Sequence, residues 1–221
     1  MSHSKDLDLV KTKLSGTTPV TWVFVGDSIT HGALHTYGWR VYPELFAERV
    51  RYELGRPLDV VINTGISGNK TQDILDRLDW RVLRFKPDIV FLMIGTNDST
   101  FGGDGIETFR SNIAVFIESV RQAGAIPVIN TPNPILTEYS PNRDDLPHYI
   151  EVLREMAQIN NVVLIDHYQH WTTSKPDINS MMMWLNDSLH PNEYGHREFA
   201  RLIFKTLDIF DNSPTCSLYV P

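Results

Sequence analysis

Four short segments carry the side chains able to do chemistry: GDSIT (Gly26 to Thr30), NTGISGNKT (Asn63 to Thr71), GTND (Gly95 to Asp98) and DSLHPN (Asp187 to Asn192). In the last, an aspartate and a histidine stand three apart in a turn, so the Asp187 carboxylate can accept from the Nδ1–H of His190. That bond selects the tautomer whose Nε2 is left to take a proton from a hydroxyl. Ser28 offers such a hydroxyl just past an apolar run, with its own amide free to donate. Asn97 brings an amide NH2 of the kind that stabilises a developing oxyanion. Each segment also has a plainer reading: a serine N-cap, a tight glycine turn, an Asx turn and a surface turn.

The glycine turn invites comparison with a phosphate cradle. A P-loop needs Gly and Lys adjacent, followed by Ser or Thr, so that the lysine reaches the phosphates held by the backbone. Here Asn69 separates Gly68 from Lys70. What remains is a set of backbone N–H groups at a helix start, able to hold any negative oxygen. GDSIT is likewise not the GxSxG elbow of the α/β-hydrolases, because Thr30 occupies the second glycine position and the segment follows the first strand.

These segments must be brought together by the elements around them. Val20 to Val25, Leu58 to Ile62, Asp88 to Ile94, Ala125 to Asn130 and Val162 to Ile165 are apolar and rich in Val and Ile, as strands buried on both faces should be. Between them the spacing predicts helices over Pro43 to Leu54, Thr71 to Phe85, Ile106 to Ala123, Asp145 to Ile159 and Asn192 to Phe210. Lys5 to Leu14 reads as a weak helix or an extended cover. The βαβ rhythm implies a parallel sheet covered on both sides, with every strand-to-helix loop on one edge. Ligands then bind beyond the carboxyl ends of the strands, near the point where strand order reverses. The four chemical segments fall in such loops, together with NTPNP (Asn130 to Pro134) and the long segment from Asp166 to Asn192.

Composition limits the partners. The chain has 221 residues, 42% hydrophobic and 21% charged, an ordinary globular balance that fits one domain over residues 1–221. A net charge of −7 without a basic cluster argues against nucleic acid. No apolar run reaches the ~18 residues of a membrane span, and MSHSKDLDLV lacks an apolar core behind a positive segment. The expected location is cytoplasmic. One cysteine, Cys216, allows no intramolecular disulfide. The tail Asp211 to Pro221 has an apolar end that either frays or packs on the body or a neighbour, so a homo-oligomer stays open.

Taken together, the segments resemble the SGNH (GDSL) hydrolase family, whose signature blocks occur here in order: GDS ending at Ser28, Gly68, GTND containing Asn97, and DSLH from Asp187 to His190. The resemblance runs from about residue 20 to about residue 207. It implies a flavodoxin-like three-layer α/β/α sandwich on a five-stranded parallel sheet. It further implies Ser28 as nucleophile, His190 as base and Asp187 as its partner, with the Ser28 amide, the Gly68 amide and the Asn97 side chain as oxyanion donors. Many members carry Gly where Ser188 stands, which alters the turn but removes no catalytic atom. No metal or cofactor is implied. The substrate expected from the resemblance is a small ester, an acetyl group on carbohydrate, with lysophospholipase or thioesterase action as the alternative. Asp27, His31, Trp39 and Trp184 are expected to contact it, and His35 to line the pocket mouth with His31.

Two rivals come from other classes. Asp166, His167, His170, Asp187 and His190 have the donor types of a metal-dependent hydrolase. Trp39, Tyr139, Trp171 and Trp184 suit a non-catalytic carbohydrate-binding module. Met181, Met182 and Met183 add an adaptable apolar patch, while His3, His148 and His196 are expected in solvent or in packing.

Overall fold

The computed structural model describes residues 5–32 and 34–221; His3 and Ala33 lie outside them. In chain order the elements are α1 (Lys5–Ser15), β1 (Thr21–Gly26), α2 (Ser28–His31), α3 (Tyr42–Glu48) and β2 (Val60–Asn63). Then come α4 (Thr71–Leu75), α5 (Leu78–Arg81), β3 (Ile89–Met93), α6 (Ile106–Gln122), β4 (Ile126–Asn130) and α7 (Leu146–Ile159). The chain closes with β5 (Val163–Ile165), α8 (His167–Ser174), α9 (Ile178–Met182) and α10 (Glu193–Thr206). All strand pairs are parallel, in the order β2-β1-β3-β4-β5. This is the flavodoxin-like order, whose reversal lies between β1 and β3.

The period-2 alternation of each strand divides the core into two layers. Trp22, Phe24, Phe91 and Val128 join Val10 of α1, Tyr42 and Phe46 of α3, Trp171 of α8 and Phe199 and Ile203 of α10. Val23, Val25, Val90, Leu92 and Ile129 face the other way, onto Ile74 of α4, Leu78 of α5, Phe109, Ile113 and Phe116 of α6, and Tyr149 and Leu153 of α7. The result is a three-layer α/β/α sandwich. Val23 sets the register, standing level with Ile62 of β2 on one side and Val90 of β3 on the other. The carboxyl ends of β1, β2 and β3 therefore finish together at one edge.

Some expectations are corrected. β2 is an edge strand with Val60 about half exposed, so it is not buried on both faces. The helix expected over Thr71 to Phe85 breaks after Leu75 and again after Arg81, and ends in a 3-10 turn at Leu83–Phe85; no proline or glycine forces the breaks. The segment from Asp166 to Asn192 contains two helices, α8 and α9. Their N-terminal amides are capped by Asp166, which accepts from Gln169 N at 3.0 Å, and by Asp177, which accepts from Ser180 N at 3.0 Å. The C-terminal tail packs on the body. Cys216 is a buried free thiol, and Arg49 donates to Ile209 O, Asp211 and Ser213. Among the described residues no helix is long and apolar enough to cross a membrane.

Candidate active site

The site begins where β1 stops. A Cβ at Gly26 would meet Met93 O at 2.3 Å and Thr30 Oγ1 at 2.4 Å, so only glycine lets the strand end this close to β3. Asp27 then caps the one-turn helix α2, its carboxylate accepting from Ile29 N at 2.9 Å. Ser28 is the first residue of that helix and is nearly buried, at 8% exposure. The capping carboxylate is itself buried, and desolvation pushes its pKa up to about 7 against the lowering effect of the Ile29 amide bond. Asp27 was expected to contact substrate; its carboxylate instead turns into the protein.

His190 reaches Ser28 from the far end of the chain. Its Nε2 lies 2.9 Å from Ser28 Oγ, and its Nδ1 lies 2.8 Å from Asp187 Oδ2. The other oxygen, Asp187 Oδ1, accepts from the amides of Leu189 and His190, each at 2.7 Å. These bonds, with the imidazole, outweigh partial burial and hold the Asp187 carboxyl well below the usual carboxylate range. The turn is clamped by an antiparallel bridge between Leu185 and Pro191 and by Asn186 N donating to His190 O at 2.8 Å. Asn192 follows as the N-cap of α10, accepting from Tyr194 N and Gly195 N. The loop after β4 braces the turn from its other side: Asn133 Nδ2 donates to Leu189 O at 3.0 Å, Leu136 N to Ser188 O at 2.9 Å, and the Ser140 and Ser188 hydroxyls meet at 2.8 Å.

The third wall consists of amide donors. After β2 the chain turns across α2 so tightly that a Cβ at Gly65 would lie 2.4 Å from His31 N and 2.8 Å from Thr30 C. Gly68 sits at φ +82° with open space around it. Asn97, 9% exposed, donates from Nδ2 to Asn69 O at 3.1 Å, while its Oδ1 accepts from Arg143 Nη2 at 3.3 Å. Arg143 also donates from Nε to Thr96 O at 3.1 Å. Because a guanidinium only donates, it fixes which end of the Asn97 amide faces the site. One Nδ2 hydrogen goes to Asn69 O. Asp98, buried behind this loop, takes Thr71 N at 2.9 Å and Thr71 Oγ1 at 2.6 Å.

The remaining expected residues are spread around this centre. His31 is exposed at the rim, its Nδ1 3.2 Å from Ser67 Oγ. Trp39 is 56% exposed on the loop after α2. Trp184 was expected at the substrate and is a core residue, packed edge-on against Trp171 with its Nε1 donating to Pro221 O at 2.9 Å. Trp171 is fully buried as well. His35 lies flat on His190, with ring centroids 3.4 Å apart and planes 2° from parallel. Burial and the neighbouring His190 lower its pKa.

The five donors of the rival metal reading do not assemble. Asp166 pairs with Arg154, His167 Nε2 lies 3.1 Å from Asn130 Oδ1, and His170 pairs with Glu198. Among the described residues the one group with metal-donor spacing is His35, Asp187 and His190. Imidazole lone pairs lie in the ring plane, so two rings stacked in parallel cannot direct them at one ion. As they stand, these three fit a proton-transfer pair with a stacked neighbour better than a metal centre.

Sequence reading did not single out Arg143, Gly65 or the side chain of Asn69. Arg143 lies 46 positions from its partner Asn97, with no motif to link them. Gly65 stood inside the quoted turn, one residue type among several until the turn was seen to cross α2.

The arrangement is a hydroxyl on an imidazole on a carboxylate, beside amide donors. The model of the GDSL-like Lipase/Acylhydrolase family matches residues 24–198. An uncharacterized protein of Mycoplasma pneumoniae is 27% identical over 202 residues, which covers 86% of this chain and 23% of that protein; this chain thus spans about a quarter of that relative's length. An acetylxylan esterase of Geobacillus stearothermophilus is 27% identical over 208 residues, covering 84% of this chain and 92% of that protein. A crystal structure of the Geobacillus stearothermophilus acetylxylan esterase matches with a TM-score of 0.70 at 21% identity, over 85% of this chain and 94% of that one. An alpha/beta hydrolase from the metagenome of Lake Arreo matches with a TM-score of 0.74 at 22% identity, over 89% of this chain and 99% of that one. At these identities the solved structures speak to the fold.

Proposed function

The chain belongs to the GDSL-like lipase/acylhydrolase family, and on that premise we propose that it is a serine hydrolase of short carboxylic esters, acting on acetyl groups carried by carbohydrate. The observation that carries this reading is the unbroken contact from Ser28 Oγ to His190 Nε2 at 2.9 Å and from His190 Nδ1 to Asp187 Oδ2 at 2.8 Å. The acetyl and carbohydrate parts are supported by the acetylxylan esterase among the relatives.

In this reading Ser28 Oγ attacks the ester carbonyl while His190 Nε2 takes its proton, and Asp187 stabilises the imidazolium that forms. Charge develops on the carbonyl oxygen next to the Ser28 amide, the Gly68 amide and the second Nδ2 hydrogen of Asn97. His190 then protonates the leaving sugar oxygen. Water, deprotonated by the same imidazole, attacks the acyl-serine and releases acetate and the free serine. Every proton is carried by this chain's own side chains. Trp39, exposed on the loop after α2, suits a sugar face, and His31 stands at the rim.

The test is hydrolysis of p-nitrophenyl esters from acetate to palmitate, together with fluorophosphonate labelling. The expected result is a maximum at acetate, labelling at Ser28, and loss of turnover in Ser28→Ala. A maximum beyond octanoate would replace the acetyl reading with lipid or thioester substrates, and an active Ser28→Ala would remove the serine mechanism. The cytoplasm remains the proposed location.

A further inference from the structure

Arg81, at the end of α5, is 1% exposed. Its guanidinium forms no ion pair among the described residues; the nearby Asp73 pairs instead with Arg77. What it does hold is backbone and amide oxygen. Nη1 donates to Asn69 Oδ1 at 2.6 Å, Nη2 to Thr64 O at 2.5 Å and more weakly to Gly26 O at 3.3 Å, and Nε is left buried without a partner. Burying a guanidinium without a counter-charge is costly.

The three acceptors identify what the cation does. Gly26 ends β1 directly before Asp27 and Ser28. Thr64 opens the turn that carries Gly68. Asn69 is the residue whose carbonyl receives Asn97 Nδ2 at 3.1 Å. A single planar fork thus ties the end of β1, just before the nucleophile, to the turn that carries Gly68, and through Asn69 it stands two hydrogen bonds from the Asn97 amide. Burial lowers the pKa of Arg81, yet a guanidinium begins from so high a value that its charge persists.

We propose that Arg81 is a positioning residue for ester hydrolysis: its buried guanidinium sets the spacing of the Ser28 and Gly68 loops, acts on Asn97 through Asn69, and supplies positive potential where the oxyanion forms. The inference rests on the serine-hydrolase reading above and predicts an effect on transition-state stabilisation rather than on substrate binding. Misplacing donors by a fraction of an ångström should lower kcat ~10- to 100-fold with KM held within about 2-fold.

The experiment compares wild type, Arg81→Met and Arg81→Lys on p-nitrophenyl acetate. Rates are expressed per Ser28 labelled to completion by a fluorophosphonate, and thermal melts are recorded in parallel. Expected is a fall in kcat per labelled site for Arg81→Met at unchanged KM, with Arg81→Lys recovering part of it, because the ammonium keeps the charge but loses the fork. If Arg81→Met fails to fold, Arg81→Lys carries the comparison by itself. Unchanged kcat per labelled site, with only a lower melting temperature or a smaller labelled fraction, would make Arg81 a purely structural tie and overturn the proposal. Failure of wild-type Ser28 to label would instead sink the serine-hydrolase reading on which it depends.

Discussion

Replacing Asp187 by Asn tests the electrostatic logic of the site without changing its shape. Asp187 Oδ1 accepts from two backbone amides at 2.7 Å, and Oδ2 meets His190 Nδ1 at 2.8 Å. An asparagine has one acceptor and one donor end. If its NH2 turned toward the amides of Leu189 and His190, two donors would face a donor, and two charge-assisted bonds worth about 1.5–3 kcal/mol each would be lost. If its oxygen keeps the two amides, only the contact with His190 becomes donor against donor, and the imidazole relieves that by moving its proton to Nε2. The second arrangement wins. His190 then presents an N–H to Ser28 Oγ and cannot take its proton. A wrong tautomer of this kind costs ~10,000-fold in kcat, about 5.4 kcal/mol of barrier. The assay is initial-rate hydrolysis of p-nitrophenyl acetate by Asp187→Asn, with circular dichroism to verify the fold. Activity within about tenfold of wild type would refute the claim that this carboxylate selects the tautomer.

Arg143→Met should free the Asn97 amide to flip and lower kcat ~10-fold, whereas Asn97→Ala should cost ~100- to 1000-fold; a double variant no worse than Asn97→Ala is the sign that Arg143 acts through Asn97. Gly65→Ala places a methyl group 2.4 Å from the His31 backbone, so α2 must shift and turnover should nearly vanish. Gly68→Ala has room and a left-handed φ, and its expected cost is ~1–2 kcal/mol of stability, read as a modest drop in melting temperature. Asp27 keeps its proton in the fold to about pH 7 but loses it near 3.8 when unfolded. Its raised pKa therefore makes wild-type stability fall as pH rises between those values, and stay lowered above them. Asp27→Asn buries no charge, so its urea midpoint should gain on wild type between pH 5 and pH 8; a pH-independent difference would count against the buried charge.

Much of this protein is written locally. Valine- and isoleucine-rich runs alternate with amphipathic segments, and that rhythm determines a parallel sheet with helices on both faces, because a strand buried on both sides has no other use for such a run. The short blocks around Ser28, Gly68, Asn97 and Asp187 with His190 were legible for the same reason: each is a turn whose residues interact within a few positions, as when Asp187 holds the amides of Leu189 and His190. Even α8 and α9 left a readable mark in the capping aspartates Asp166 and Asp177. What only the tertiary structure decided involves partners far apart in the chain. Ser28 meets His190 across 162 positions and Arg143 meets Asn97 across 46. Arg81 gathers oxygens from two loops, and Trp184 closes a core where a substrate contact was expected. Such choices depend on which side chain is nearest once the sheet has closed, a matter of volume and hydrogen-bond geometry in three dimensions that no periodicity along the chain encodes.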